Sequence, residues 1–365
     1  MQFKTEKNEF LKTIQTVQNA ISTKSTLPIL TNILIETQKN TLKMTATDLD
    51  IGISSQMPIT QETEGAITLP AKKLMDVIKE LPDNAKITVT TKKNNTTTIE
   101  CGKITFRIVG LPKDEFPNPP DFQNKDTVTM GQGFLKQMIT LTLFAVSHDE
   151  TRYILNGILF IIKQKTIRLV ATDGRRLAVV EKELPKQTLV EKKIIIPTKT
   201  VQELSRLLND EGDVIIAFDE NQIMFNLGDT TVISRLIEGE FPNYEQVIPQ
   251  EAKDKITIDK TALLAATKRA SIFTNPDSLV VRMDVSKNKM LISKNTPYMG
   301  EVKEEMDVSY KGKNISIGFN PHYIMEVLKN IDTQEVRLEI TDGEKPGVIR
   351  LGNEYTYVVL PMQIT

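Results

Sequence analysis

The sequence predicts an α+β chain of three similar domains, each with two helices and antiparallel sheets. Three observations carry this: words that recur at one fixed offset, apolar helical stripes that return after prolines, and short β-branched runs between them. Glu115-Phe116-Pro117-Asn118 recurs as Glu240-Phe241-Pro242-Asn243, and Ala46-Thr47-Asp48 recurs as Ala171-Thr172-Asp173, both at an offset of 125. Leu30-Thr31-Asn32-Ile33-Leu34 meets Leu155-Asn156-Gly157-Ile158-Leu159 in the same register. A fainter third copy is read from Ile340-Thr341-Asp342-Gly343 as an echo of Ala171 to Gly174, with Leu263-Leu264 standing where Phe134-Leu135 stood. Three copies in 365 residues set the expected domains at 1–122, 123–249 and 250–365.

The first copy opens with a helix over 7–22, because Phe10, Leu11, Ile14, Val17 and Ile21 fall on one face. Its second helix, 70–81, places Leu74, Val77, Ile78 and Leu81 at the same spacing. Strands follow over 86–91, 97–100 and 104–108, with Lys93-Asn94-Asn95 turning between the first two. The second copy repeats the pattern with helices over 131–147 and 197–208 and strands over 213–218, 223–227 and 231–237, Asp219-Glu220-Asn221 turning. The third carries helices over 259–272 and 320–331, the latter with Ile324, Val327, Leu328 and Ile331. Pro70, Pro197 and Pro321 stand near helix starts, where a missing N–H costs nothing. Each copy thus covers one face of an antiparallel sheet with helices.

Composition narrows the function. Hydrophobic residues make up 39% and charged residues 25% with no Trp, so the chain folds around aliphatic cores. Lys plus Arg is 46 against 47 Asp plus Glu, a net charge of −1 that excludes a uniformly basic nucleic-acid binder. The lone Cys101 forms no internal disulfide and is expected as a small buried residue in a strand. That usage, and a start lacking an apolar run behind basic residues, predict no signal peptide and a cytoplasmic location. The longest apolar runs, such as Ile158 to Ile162, fall far short of the ~20 residues that span a bilayer.

Catalytic signals are missing. The only histidines are His148, expected near a helix end, and His322, in the turn after Pro321. No zinc-ligand spacing, phosphate-cradling glycine loop or nucleophile elbow occurs, so no catalytic residue, metal or cofactor is expected. Asp48, Asp50, Asp173 and Asp342 also allow a metal or acid/base reading, but an Asp at a strand end ordinarily bonds local backbone in a turn. Charge is segregated instead. The six helical segments hold 12 Lys or Arg against 6 Asp or Glu, a net of +6, which leaves −7 for the remainder.

These residues resemble a known family. Thr26-Leu27-Pro28-Ile29-Leu30, Asp149-Glu150-Thr151-Arg152-Tyr153, Ala171-Thr172-Asp173-Gly174 with Arg176-Leu177, Glu240-Phe241-Pro242-Asn243-Tyr244 and the closing Tyr357-Val358-Val359-Leu360-Pro361-Met362 look, in order and spacing, like the bacterial sliding clamp. That protein is the β subunit of the replicative DNA polymerase III, and the resemblance covers the whole chain. It implies the DNA-clamp fold and a head-to-tail dimer of three-domain protomers, a ring with helices lining the hole. It also implies a processivity factor without chemistry of its own, whose partners are double-stranded DNA read without sequence preference, the polymerase III catalytic subunit, an ATP-driven clamp loader and other proteins carrying a clamp-binding motif. The alternative is a triplicated protein-interaction scaffold that never encircles DNA.

Matched residue by residue, the resemblance assigns DNA contact to Lys24, Lys72, Lys73, Arg152, Tyr153 and Lys199. It assigns the dimer seam to Phe106 as an aromatic plug received by Ile272 and Phe273. A partner-peptide pocket between the second and third domains is assigned to Leu155, Thr172, Gly174, Arg175, Arg176 and Leu177, to Pro242 and Val247, and to Asn320 and Tyr323. The closing strand adds Val358, Val359, Leu360, Pro361 and Met362. Two departures fall on the pocket rim: Arg175 replaces a His common in the family, and Gln363-Ile364-Thr365 replaces an Arg-Leu ending.

Overall fold

The computed structural model describes residues 1–21, 27–118, 120, 122, 125–252 and 254–364, so Lys24 lies outside the described residues. The first copy runs β1 (Gln2–Glu6), α1 (Lys7–Val17), β2 (Asn32–Gln38), β3 (Thr41–Thr47), β4 (Ile51–Pro58), β5 (Thr60–Thr63), β6 (Gly65–Pro70), α2 (Ala71–Lys79), β7 (Lys86–Thr91), β8 (Thr96–Cys101) and β9 (Ile104–Val109). The second runs β10 (Thr127–Gly131), α3 (Gln132–Thr142), β11 (Gly157–Lys163), β12 (Thr166–Thr172), β13 (Arg176–Glu183), β14 (Lys192–Pro197), α4 (Thr198–Leu207), β15 (Asp213–Phe218), β16 (Gln222–Asn226) and β17 (Thr230–Arg235). The third runs β18 (Lys255–Asp259), α5 (Lys260–Ser271), β19 (Val281–Ser286), β20 (Lys289–Thr296), β21 (Gly300–Asp307), β22 (Ile315–Phe319), α6 (Pro321–Asn330), β23 (Glu335–Glu339), β24 (Gly347–Leu351) and β25 (Tyr355–Val359). Two helices per copy and wholly antiparallel pairing are the α+β class read from the sequence.

The helices bury the stripes that predicted them. Phe10, Ile14 and Val17 of α1 and Leu74, Val77 and Ile78 of α2 are buried, as is Cys101 in β8. Two helices end earlier than the apolar pattern suggests. The 7–22 segment stops at Val17 and tightens into a 3-10 turn over Gln18–Ala20. The 131–147 segment stops at Thr142, whose hydroxyl donates back to Met138 O at 3.0 Å and competes with the helical ladder. His148 therefore lies in an exposed loop beyond the 3-10 turn Leu143–Ala145 rather than at a helix end.

The chain forms two compact units, Met1–Phe134 with Gln202–Leu236, and Leu135–Val201 with Ile237–Thr365. Unit 1 holds a five-stranded sheet, β5-β1-β7-β8-β9, and an eight-stranded sheet, β10-β15-β16-β17-β4-β3-β2-β6. Unit 2 holds an eight-stranded sheet, β14-β11-β12-β13-β25-β24-β23-β18, and a four-stranded sheet, β21-β20-β19-β22. The units do not coincide with the sequence repeats, because each eight-stranded sheet is shared by two of them. In unit 1, β17 of the second copy pairs with β4 of the first, Ile233 opposite Gly52. In unit 2, β25 of the third pairs with β13 of the second, Val358 opposite Leu177. The corresponding strands left over, β9 of the first copy and β21 of the third, are sheet edges.

One expected correspondence is wrong. Ile340-Thr341-Asp342 follows β23, which is the third copy's counterpart of β15, so Asp342 falls in the loop that corresponds to Asp219-Glu220-Asn221 and not at Asp173. The true counterpart of Thr172-Asp173-Gly174 is Thr296-Pro297-Tyr298 at the β20–β21 turn, where Tyr298 holds φ +62° as Gly174 holds +84°. The echo reflects shared turn chemistry. Asp342 accepts from the Glu344 and Lys345 N–H groups at 3.0 and 2.9 Å, and these bonds, that to Glu344 foremost, hold its carboxyl below the usual range. Asp173 accepts likewise from Arg175 and Arg176, and Asp48 from Asp50 and Ile51. These carboxylates are committed to backbone donors, which is the turn reading. Among the described residues, no helix is long and apolar enough to cross a membrane.

Candidate partner groove and interaction surfaces

The residues that the sequence assigns to a partner groove meet in unit 2 where β13 and β25 run side by side. Successive side chains on a strand face opposite ways, and the Leu177–Val358 pair turns toward a cluster that includes Val170, Val179, Val348, Phe241 and Tyr244, with Leu155 and Ile248 packed against it. This is the apolar floor. Val359, next along β25, is fully buried outside that cluster, so it braces the strand rather than lining the groove. Above the floor stand exposed apolar groups, Leu360 at 43% and Val247 at 55% exposure, with Pro242 also exposed.

The rim is set by backbone. Leu360 N–H donates to Arg175 O at 2.9 Å, one residue beyond β25, and Met362 N–H donates to Gly318 O at 2.8 Å, so the closing residues, with half-buried Pro361 between them, are pinned to the sheet. Thr172 Oγ1 donates to Arg176 O and accepts from Gly174 N–H at 3.0 Å, closing the β12–β13 turn. Gly174 sits at φ +84°, a left-handed position that suits glycine. Arg175 is exposed on this turn with its side chain toward solvent.

Arg176 is set deeper than Arg175. It is only 8% exposed, donates to Asp173 Oδ2 at 3.1 Å, to Glu326 and to Phe144 O, and its guanidinium lies 4.4 Å from the Tyr323 ring centre. Burial opposes its charge, but Tyr357, Glu326 and Asp173 outweigh burial and raise its pKa. Each of its three nitrogens donates once inside the protein, so Arg176 holds the β12–β13 turn against α6. Asn320 is also structural: its side chain caps α6 by accepting from His322 N–H at 3.0 Å. Tyr323, half-buried, is held through its carbonyl by the Tyr357 hydroxyl at 2.9 Å. Phe144, Glu326 and Tyr357 escaped the sequence reading, since each touches Arg176 across more than 30 residues and no local pattern marks them.

The basic positions divide. Lys72 and Lys73 are exposed on α2 between buried Ala71 and Leu74, and Lys199 is exposed near the start of α4. Arg152 and Tyr153 lie in the 3-10 turn Glu150–Leu155 and are tied to the groove's surroundings: Arg152 donates to Asp173 O at 3.4 Å and Tyr153 to Glu238 O at 2.9 Å. The helix charge count overstates the available field. Lys7 is buried and bonded to Asp83 at 2.5 Å, Arg206 pairs with Glu203 at 2.7 Å, and Arg269 pairs with Glu304.

At the free edges, Phe106 is half-buried on β9 between exposed Thr105 and Arg107, and Val109 is 71% exposed. Ile272, 68% exposed, ends α5. Phe273 packs over Gly300, where an added Cβ would lie 2.9 Å from its ring, so these two residues stand beside the start of β21.

Comparison with known proteins accounts for this geometry over its full length. Residues 1–120, 129–243 and 245–363 match, in order, the N-terminal, central and C-terminal domains of the DNA polymerase III beta subunit. The beta sliding clamp of Escherichia coli is 35% identical over 369 residues and that of Vibrio cholerae 34% over 368, with all of each chain covered. The DNA polymerase sliding clamp of Bacillus subtilis superimposes with a TM-score of 0.95 at 31% identity, again over all of both chains. A sliding clamp of Pseudomonas aeruginosa bound to griselimycin superimposes with a TM-score of 0.95 at 32% identity over the same span. Three consecutive domain matches and relatives aligned end to end leave one assignment: the chain belongs to the DNA polymerase III beta subunit family, the non-catalytic sliding clamps of replication.

Proposed function

We propose that two copies of this chain close head to tail into a ring of six domains, 1–122, 123–249 and 250–365 in each, around duplex DNA. The observation that carries this is the unused strand pair. The second copy joins the first through β17 and β4, and the third joins the second through β25 and β13, five residue pairs each. By the same rule β9 seeks a β21, and both are edges. Unpaired edges are costly invitations to association, and the strands differ in net charge: β21 carries Glu301, Glu304, Glu305 and Asp307 against Lys303, with Glu301, Glu304 and Glu305 in ion pairs to Lys303, Arg269 and Lys289, while β9 carries Arg107 with Lys103 beside it. Phe106 then packs against Ile272 and Phe273.

Such a ring works by topology. Lys24, Lys72, Lys73, Arg152, Tyr153 and Lys199 supply a weak, sequence-independent attraction to phosphates that lets the ring slide. The groove takes short linear peptides of the polymerase III catalytic subunit, the clamp loader and other partners, with an aliphatic anchor seated on Leu177 and Val358 between Val247 and Leu360. Tethering raises the polymerase's effective concentration at its primer end without a tighter DNA contact. The setting is the cytoplasm.

The test is retention on a nicked circular plasmid after loading with clamp loader and ATP, at salt that strips phosphate contacts, before and after one restriction cut. Release on cutting is expected. Retention that survives the cut, or none with an active loader, overturns encirclement, and the second result favours the scaffold alternative.

A further inference from the structure

Unit 1 contains a counterpart of the groove that differs from it in a consistent way. Arg235 N–H donates to Asp50 O at 2.8 Å as Leu360 N–H donates to Arg175 O at 2.9 Å, and Ile233 faces Gly52 as Val358 faces Leu177. The two places therefore compare residue for residue at the offset of 125 seen in the sequence. The floor is hollowed out: Val170, Leu177 and Val179 of unit 2 become Thr45, Gly52 and Ser54. A recess of ≈ 170 Å³ is left against Phe116 and Pro117.

The charge changes as well. In unit 2, Arg168 is spent on Glu181 at 2.5 Å, Glu245 at 2.8 Å and the Tyr244 hydroxyl at 2.8 Å. Its counterpart Lys43 has Gln56 and Pro120 where those two carboxylates stood. Leu360 becomes Arg235. Both cations line the recess, and neither has an ion-pair partner among the described residues. Asp50 is the one acid that lines it among those residues. Leu49 also keeps the left-handed backbone of Gly174, φ +79° against +84°, although a leucine disfavours it. Strain of this kind persists where surrounding structure imposes it.

We propose that this recess is a second binding site, specific for a carboxylate. The ligand is either an acidic side chain of a peptide or a small free dicarboxylate, held by Lys43 and Arg235 with the Thr45 and Ser54 hydroxyls as donors. A recess with two cations that lack ion-pair partners among the described residues gains from an anion what the unit 2 groove gains from an aliphatic anchor.

The test uses the full chain with labelled Ile, Leu and Val methyls, followed by NMR. The probes are glutarate and the blocked peptide acetyl-Gly-Glu-Gly-amide, with the Gln peptide as the neutral control. Expected are shifts of Ile233 and Leu49, with Leu177 and Val358 still. Affinity should fall about tenfold or more in Lys43→Gln with Arg235→Gln, two exchanges at the recess that remove charged hydrogen bonds and leave the apolar core intact. Gly52→Leu should block the site, since a Cβ there meets only Thr47 at 3.6 and 3.7 Å and a backbone oxygen at 3.9 Å. Peptide binding about tenfold tighter than glutarate identifies a peptide site, and equal binding a free-carboxylate site; either supports the proposal. It is overturned if the Gln peptide shifts Ile233 equally, if the double charge variant binds unchanged, or if neither probe acts at ~10 mM, where a millimolar site is about 90% filled.

Discussion

Arg176→Ala is the most informative single change at the proposed groove, because it removes a residue whose guanidinium is bonded within the protein. The side chain is 7% exposed and paired with Asp173, 16% exposed, and Glu326, 41% exposed. Cutting one partner from a buried pair costs about 3–5 kcal/mol when the other is stranded. Here Glu326 can turn to water and Asp173 keeps its two backbone donors. Phe144 O and the stacked Tyr323 ring lose their contacts outright. A loss of about 2–4 kcal/mol follows, the cation–π share being about 0.5–2. A three-domain chain does not unfold in one step, so the loss is read locally, by hydrogen exchange over 172–177 and 357–362, together with the affinity of a partner peptide. Both should weaken, and Arg176→Lys should recover only part, since an ammonium lacks the fork. The cycle with Glu326→Gln should show coupling of about 0.5–3 kcal/mol. Unchanged protection at 172–177 with full loss of peptide binding would mean that Arg176 meets the ligand directly, and the positioning argument would be wrong.

Phe106→Ala combined with Ile272→Ala should yield folded monomers, checked by sedimentation velocity; a dimer persisting at low micromolar protein contradicts the seam. Deleting Leu360 to Thr365 removes the bonds to Arg175 O and Gly318 O, a cost of about 1–3 kcal/mol that the sheet survives. It should abolish polymerase stimulation while leaving circular dichroism intact, and a truncated chain that still stimulates rules out the groove. Lys72→Ala with Lys73→Ala should reduce the salt slope of DNA binding by about 0.9 per lysine, measured by titration on duplex DNA, and an unchanged slope removes α2 from the DNA face. Hydrogen exchange over 104–109 and 300–307 should slow as protein concentration rises, while Thr230–Arg235, paired within the chain, stays constant.

The repeat, the helix faces and the α+β class were legible because they depend on local periodicity and on words of three or four residues. Glu240-Phe241-Pro242-Asn243 showed itself as a repeated word, and its Phe241 packs in the buried cluster with Tyr244, Leu177 and Val358. What failed to show in the sequence depends on distant pairing. Nothing near Arg176 says that its guanidinium will be roofed by α6 and bonded to Glu326. The third copy's Thr-Asp-Gly was misplaced because an Asx turn looks alike after any strand. The compact units were invisible, since strand pairing across copies, Ile233 with Gly52 and Val358 with Leu177, has no signature in either strand alone.

Those same pairings bear on how a closed ring could open. The two junctions inside the chain and the proposed seam use one kind of strand pair, so their hydrogen bonds alone give no reason for one to yield first. The difference lies in what else holds each. Within the chain, the joined strands are already tethered by intervening residues, so breaking five pairs frees little translational entropy and the edges find each other again. At β9 and β21 no covalent link exists, and side chains must supply what the tether supplies elsewhere. Phe106, Ile272 and the charges along the two edges are then the terms that set opening, and a loader that spreads one seam needs to overcome only these. Strength at the junctions and weakness at the seam follow from one repeated strand pair, used twice with a tether and once without.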